Sequence, residues 1–144
     1  MIILECSSLI ENVESLVETS KRLGDVLLLS SIKGRTAKEL EACFALAKKA
    51  FKSKTNISQS IPNEAMLFLA KETNFSSAVK KIGVSDPADF ILVAERSIPI
   101  GKIKKELSLV KAKPVCLPAW GKKRRGYFEA DLAIESMALR RISD

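Results

Sequence analysis

The residues of this chain whose number and spacing can do chemistry are its cations, and that chemistry is the neutralisation of a polyanion. Residues 33–54 hold seven basic groups and two acidic ones, a sum of +5. Residues 102–125 hold nine basic groups against Glu106 alone, a sum of +8. The remaining segments, 1–32, 55–101 and 126–144, sum to −3, −1 and −2 within a total of +7. Charge confined to two stretches reads as an electrostatic footprint. Lysines scattered over an ordinary solvated surface would give the same totals.

Other chemistries have little to work with. The chain has no histidine, which removes the commonest general base and the commonest metal ligand. The three cysteines, Cys6, Cys43 and Cys116, lie far apart among apolar neighbours, with no CxxC spacing. They read as buried free thiols, and no metal site is expected. No phosphate-cradling glycine loop or paired-carboxylate motif occurs, so no cofactor and no small-molecule substrate are expected. An enzyme built on these residues would need Lys, Glu or Cys, with Cys116 as the nucleophile and nothing evident to activate it. No run of eighteen apolar residues is present, and Met1–Cys6 lacks a basic leader and a cleavage site. A cytoplasmic protein with no membrane span is the expectation.

The elements that must position these cations are mostly helical. An apolar run over residues 1–6 predicts a strand, residues 11–23 a helix stopped by Gly24, and residues 26–30 a second strand. Residues 36–52 carry the clearest 3.6-residue periodicity, with Thr36 as cap. Pro62 opens a further helix, Asn74 caps the next, and Gly83 ends it. A strand follows over residues 90–94, a short helix over 99–107, and an edge strand over 114–117. A basic loop, residues 120–126, precedes a terminal helix from about Phe128 to Ile142. The expected fold is α+β: a helix-rich single domain, residues 1–144, on a small mixed or antiparallel sheet.

The stretch from Lys38 to Ala94 is where the sequence becomes specific. The helix Glu-Ala-Cys-Phe-Ala-Leu-Ala-Lys-Lys-Ala-Phe leads through Lys54-Thr55-Asn56 to Asn63-Glu64-Ala65-Met66-Leu67-Phe68-Leu69-Ala70. Asn74-Phe75-Ser76 and the helix-stop element Ser77-Ala78-Val79-Lys80-Lys81-Ile82-Gly83-Val84 follow, then the strand Phe90–Ala94. In these motifs and in the order of its elements the chain resembles the PRPK-binding-protein family, the small regulatory subunit of the KEOPS (EKC) complex. After Lys54-Thr55 the family pattern calls for a basic residue, whereas Asn56-Ile57-Ser58 stands here.

The resemblance implies a non-catalytic subunit. KEOPS installs threonylcarbamoyl on the adenosine next to the anticodon of tRNAs, with the chemistry on other subunits. The small subunit binds and regulates the kinase-like ATPase subunit and recruits tRNA through its single-stranded 3′ CCA end. Single strands are held by basic grooves, stacking and backbone donors. The candidates are Lys33, Arg35, Lys52, Lys54, Thr55 and Asn56, with Asn63 and Glu64 at the adjoining helix start. Asn63 and Glu64 serve equally as ordinary first-turn residues. Lys122, Lys123, Arg124 and Arg125 suit phosphate contact without sequence preference, or form a solvated turn. On the terminal helix, Phe128, Leu132 and Leu139 form one strip, while Ile134 and Met137 lie on the opposite side. Two apolar strips imply burial from two directions, one by the chain's own core and one by a partner, or by the core alone. Leu132, Ile134, Met137, Leu139 and Ile142 are therefore the expected contacts to the kinase-like subunit. A stand-alone basic RNA-binding domain is the competing reading.

Overall fold

The computed structural model describes residues 1–32, 35–95, 97–117, 123–124, 127–128 and 134–137. The chain divides into two units, residues 1–32 with 82–116, and residues 33–81 with 117–144.

The first unit is built on strands β1 (Ile2–Ser8), β2 (Val26–Leu29), β3 (Phe90–Ala94) and β4 (Leu109–Pro114). They form one sheet in the order β2-β3-β1-β4, with every neighbouring pair antiparallel. Helix α1 (Val13–Lys21) connects β1 to β2, which lie on either side of β3. Helix α5 (Ile100–Glu106) precedes β4. Period-two alternation places Leu4, Cys6, Val26, Leu28, Phe90 and Leu92 in one core with Leu16 of α1 and with Ile103 and Leu107 at α5. Burial of each large side chain there contributes about 1.5–3 kcal/mol. Leu27, Leu29, Ile91 and Val93, at the alternate positions, are buried too. Burial at both sets of positions is why β2 and β3 read as unbroken apolar runs. The edge strand runs over Leu109–Pro114, earlier than expected, because its register is set by β1: Leu4 faces Pro114 and Cys6 faces Ala112. A bulge at Ser7/Ser8 frees the Ser8 hydroxyl, which donates to the Leu107 carbonyl at 2.6 Å and accepts from the Ile10 N–H at 3.0 Å.

The second unit holds α2 (Ala37–Lys52), α3 (Ile61–Ala70) and all but the last residue of α4 (Phe75–Ile82). Thr36 caps α2 by accepting from the Glu39 N–H at 3.2 Å, and Ser60 caps α3 through the Asn63 N–H at 3.3 Å. α2 packs on α3, burying Leu40, Cys43, Phe44 and Ala47 on one and Ala65 to Ala70 on the other. Later in the unit, β5 (Lys123–Arg124) pairs antiparallel with β6 (Tyr127–Phe128), and residues 134–137 are helical. Phe128 is thus a strand residue, so the terminal helix does not begin there. The fold class is α+β with an antiparallel sheet. Among the described residues no helix is long and apolar enough to cross a membrane.

Candidate nucleic-acid interface

The basic end of α2 is shaped by its last turn. Ser53 closes the helix, and Lys54 follows with φ 59°, in the left-handed region. The Lys54 N–H donates to the Phe51 carbonyl at 3.2 Å and the Thr55 N–H to the Ala50 carbonyl at 2.8 Å. This pair of bonds is a Schellman cap, in which glycine normally occupies the position held by Lys54. The Thr55 hydroxyl also donates to the Ala50 carbonyl, at 3.4 Å. The cap turns the chain sharply and leaves Lys52, Lys54 and Thr55 exposed, with Lys49 one turn earlier. Among the described residues none of Lys49, Lys52 and Lys54 has an ion-pair partner within 4.0 Å. Their charges add to the carbonyl end of the helix, which favours cations.

The loop that follows is pinned from beneath. Glu64 is 0% exposed, and its carboxylate accepts from the Ile57 N–H at 3.0 Å, the Ser58 N–H at 2.8 Å and the Ser58 hydroxyl at 2.8 Å. A buried carboxylate so bonded fixes the donors that satisfy it. The Asn56 side chain adds a bond to the Ser58 carbonyl at 2.9 Å. Residues 56–58 are therefore held in one conformation beside the cations of α2. At the same loop the Ile57 side chain is 50% exposed, an apolar surface available to a base.

The expected site residues fare differently. Lys52, Lys54 and Thr55 are exposed together at one helix end, with Asn56 and Asn63 half-buried nearby in the chain. Glu64 is a correction: with no exposed surface it cannot present itself to a ligand, and it positions the loop instead. Arg35 has a structural role. It is half-buried, its guanidinium donates to the Leu69 carbonyl at 3.3 Å, and it stands 4.0 Å from the Glu39 carboxylate, so it ties the start of α2 to the end of α3. Lys123 and Arg124 lie on β5. Lys33, Lys122, Arg125, Leu132, Leu139 and Ile142 lie outside the described residues. Of the partner-facing set, Ile134 is half-buried, whereas Met137 is 1% exposed. Met137 is already covered by its own chain, and that corrects its assignment to a partner surface. Sequence reasoning missed Ile57 and the role of Ser58. The signal for the latter was Glu64 itself, a carboxylate leading the apolar run Ala65–Ala70, which must find donors close by.

The cysteines divide in two. Cys6 and Cys43 are buried, and burial pushes their thiols up to about 11 and about 12. Cys116 is exposed, against the expectation that all three are buried, because it falls just past the last residue of β4. Among the described residues no group of three or more His, Cys, Asp or Glu side chains could hold a metal ion. Neither a protein-family model nor a curated protein matches the chain.

Proposed function

We propose that this chain is a non-catalytic adaptor of the KEOPS small-subunit type, which binds the 3′ CCA end of tRNA and a kinase-like ATPase subunit. The observation that carries the RNA half is the loop at 56–58: buried Glu64 clamps its backbone, and exposed Lys49, Lys52 and Lys54 precede it without acidic partners among the described residues. A single strand has many conformations to lose on binding, so a fixed loop with fixed cations lowers the cost of capturing it. The cations meet phosphates, while Thr55, Asn56 and the apolar Ile57 suit the exposed edges and faces of unpaired bases. Lys123 and Arg124 are assigned to the tRNA backbone by their charge alone. The ATPase half rests on the family resemblance, with half-buried Ile134 as the described residue best placed to contribute.

The test compares tRNA with and without its CCA end. Trimming should weaken binding by tenfold or more, and Lys52→Glu combined with Lys54→Glu should remove that preference. Equal affinity for both tRNAs, with only a salt-dependent decline, returns the chain to a stand-alone phosphate binder. For the second partner, a pull-down should recover a small kinase-like ATPase, and Ile134→Asp should reduce its recovery. Full recovery with a folded Ile134→Asp chain removes that residue from the interface.

A further inference from the structure

Five of the nine basic residues between 102 and 125 belong to the first unit, on α5 and β4. Lys102, Lys104 and Lys105 are exposed on α5, and Lys111 and Lys113 on β4. Ile103 and Leu107, both 0% exposed, fix the side of α5 that meets the sheet. At about 100° per residue the three lysines of α5 fan over the opposite side. Lys111 is neutralised by Glu5 at 3.2 Å. Lys102, Lys104, Lys105 and Lys113 have no carboxylate within ion-pair distance among the described residues. Glu106 stands four residues after Lys102, a spacing that commonly pairs charges on a helix, and still makes no such bond.

Charge in this unit is segregated by element. Helix α1, which contributes to the same core, carries Glu14 and Glu18, with Glu11 just before it. The excess of cations lies on α5 and β4. Gly101 sits among them, and a Cβ there would meet nothing within 4 Å. Its φ is outside the left-handed region, so neither packing nor conformation requires glycine. A bare backbone between lysines allows a broad surface to approach closely.

We propose that the α5–β4 strip is a second docking surface, which takes the sugar–phosphate backbone of an RNA duplex through Lys102, Lys104, Lys105 and Lys113. The proposal rests on the reading of RNA as the ligand and adds a contact in the other unit. A membrane-surface helix needs a free apolar face; with Ile103 of α5 and the capping Leu107 committed to the core, Ile100 (41% exposed) and Val110 of β4 (62% exposed) are the only large apolar side chains open on the strip among the described residues, too few to make one. Protein interfaces are depleted in lysine and enriched in aromatic rings and arginine, whereas the cations of this strip are all lysines. Lysine meets phosphate as a point charge and reads no sequence, which suits the body of a structured RNA.

The experiment uses the full chain with Lys102→Gln, Lys104→Gln and Lys105→Gln combined, and Lys113→Gln separately. Binding is measured against salt for intact tRNA, CCA-trimmed tRNA and an RNA hairpin duplex. The triple variant should weaken all three by about tenfold or more at low salt, and lower the slope of log K against log salt by about three. Lys113→Gln should lower the slope by about one. The ratio between intact and trimmed tRNA should not move. Unchanged slopes on all three RNAs overturn the strip while leaving the CCA reading intact. Equal wild-type binding of intact and trimmed tRNA, with slopes still lowered by the variants, sinks the CCA reading and keeps the strip. Lys21→Gln, on the acidic helix α1, should leave the slope unchanged; an equal drop there reduces the effect to net charge and overturns the proposal. Capture by phosphatidylserine vesicles that only the triple variant loses, with RNA slopes unchanged, assigns the strip to a membrane instead.

Discussion

Lys54 holds a backbone conformation that costs a side chain with a Cβ about 1–2 kcal/mol. Glycine would sit there without strain, though it loses more chain entropy on folding. Lys54→Gly should therefore raise stability by about 0.5–1 kcal/mol in urea unfolding, while tRNA binding weakens. Lys71, with φ 58° at the end of α3, has the same geometry outside the candidate site. Lys71→Gly should match the gain in stability and leave tRNA affinity where it was. Equal loss of affinity in both variants would reduce the effect to net charge and not to the place of Lys54 in the site. At this scale the sequence was a partial guide. The cations Lys52 and Lys54 are legible as charges, because exposure follows from charge. The roles of Glu64 and Arg35 were not, because each depends on a carbonyl or N–H brought near by the packing of α2 on α3, and that geometry is not written in either residue's neighbours.

At the scale of elements, helices were the legible part. Thr36 and Asn74, the caps expected from the sequence, each accept from an N–H in the first turn of their helix, and Ser60 does the same before α3 without having been expected to. Such signals are local, so sequence alone carries them. Strand β4 begins earlier than its sequence suggests because its alternation, Leu109 to Pro114, is diluted by lysines and its register comes from β1, far away in the chain. Residues 123–124 and 127–128, expected as loop and helix start, form β5 and β6, where two-residue segments offer no period to detect. α5 allows a direct check of its packing. Because nothing lies within 4 Å of a Cβ at Gly101, Gly101→Ala should stabilise the chain by about 0.5–1 kcal/mol. A melting temperature that falls instead would show that the helix side assumed to be open is occupied.

At the scale of the whole chain, the buried thiols couple stability to alkaline pH. Cys6 and Cys43 ionise near 9 when exposed, and only at about 11 and about 12 when folded. Above pH 9 the unfolded chain releases protons that the folded chain retains. The stabilisation is therefore complete below pH 9 and declines as pH rises, by up to about 1.4 kcal/mol per pH unit for each thiol. Urea midpoints measured between pH 8 and pH 10.5 should fall, and Cys43→Ala should flatten the decline. A thiol reagent at neutral pH should label Cys116 alone until the chain unfolds. The sheet of the first unit has a further consequence, in time rather than in energy. β1 pairs only with β3 and β4, strands that begin at Phe90 and Leu109, and the whole of α2 and α3 is synthesised in between. On the ribosome Ile2, Leu4 and Cys6 therefore wait unpaired while the α2–α3 hairpin can already close on itself, so a chain stalled before residue 90 is the species that aggregates or needs a chaperone.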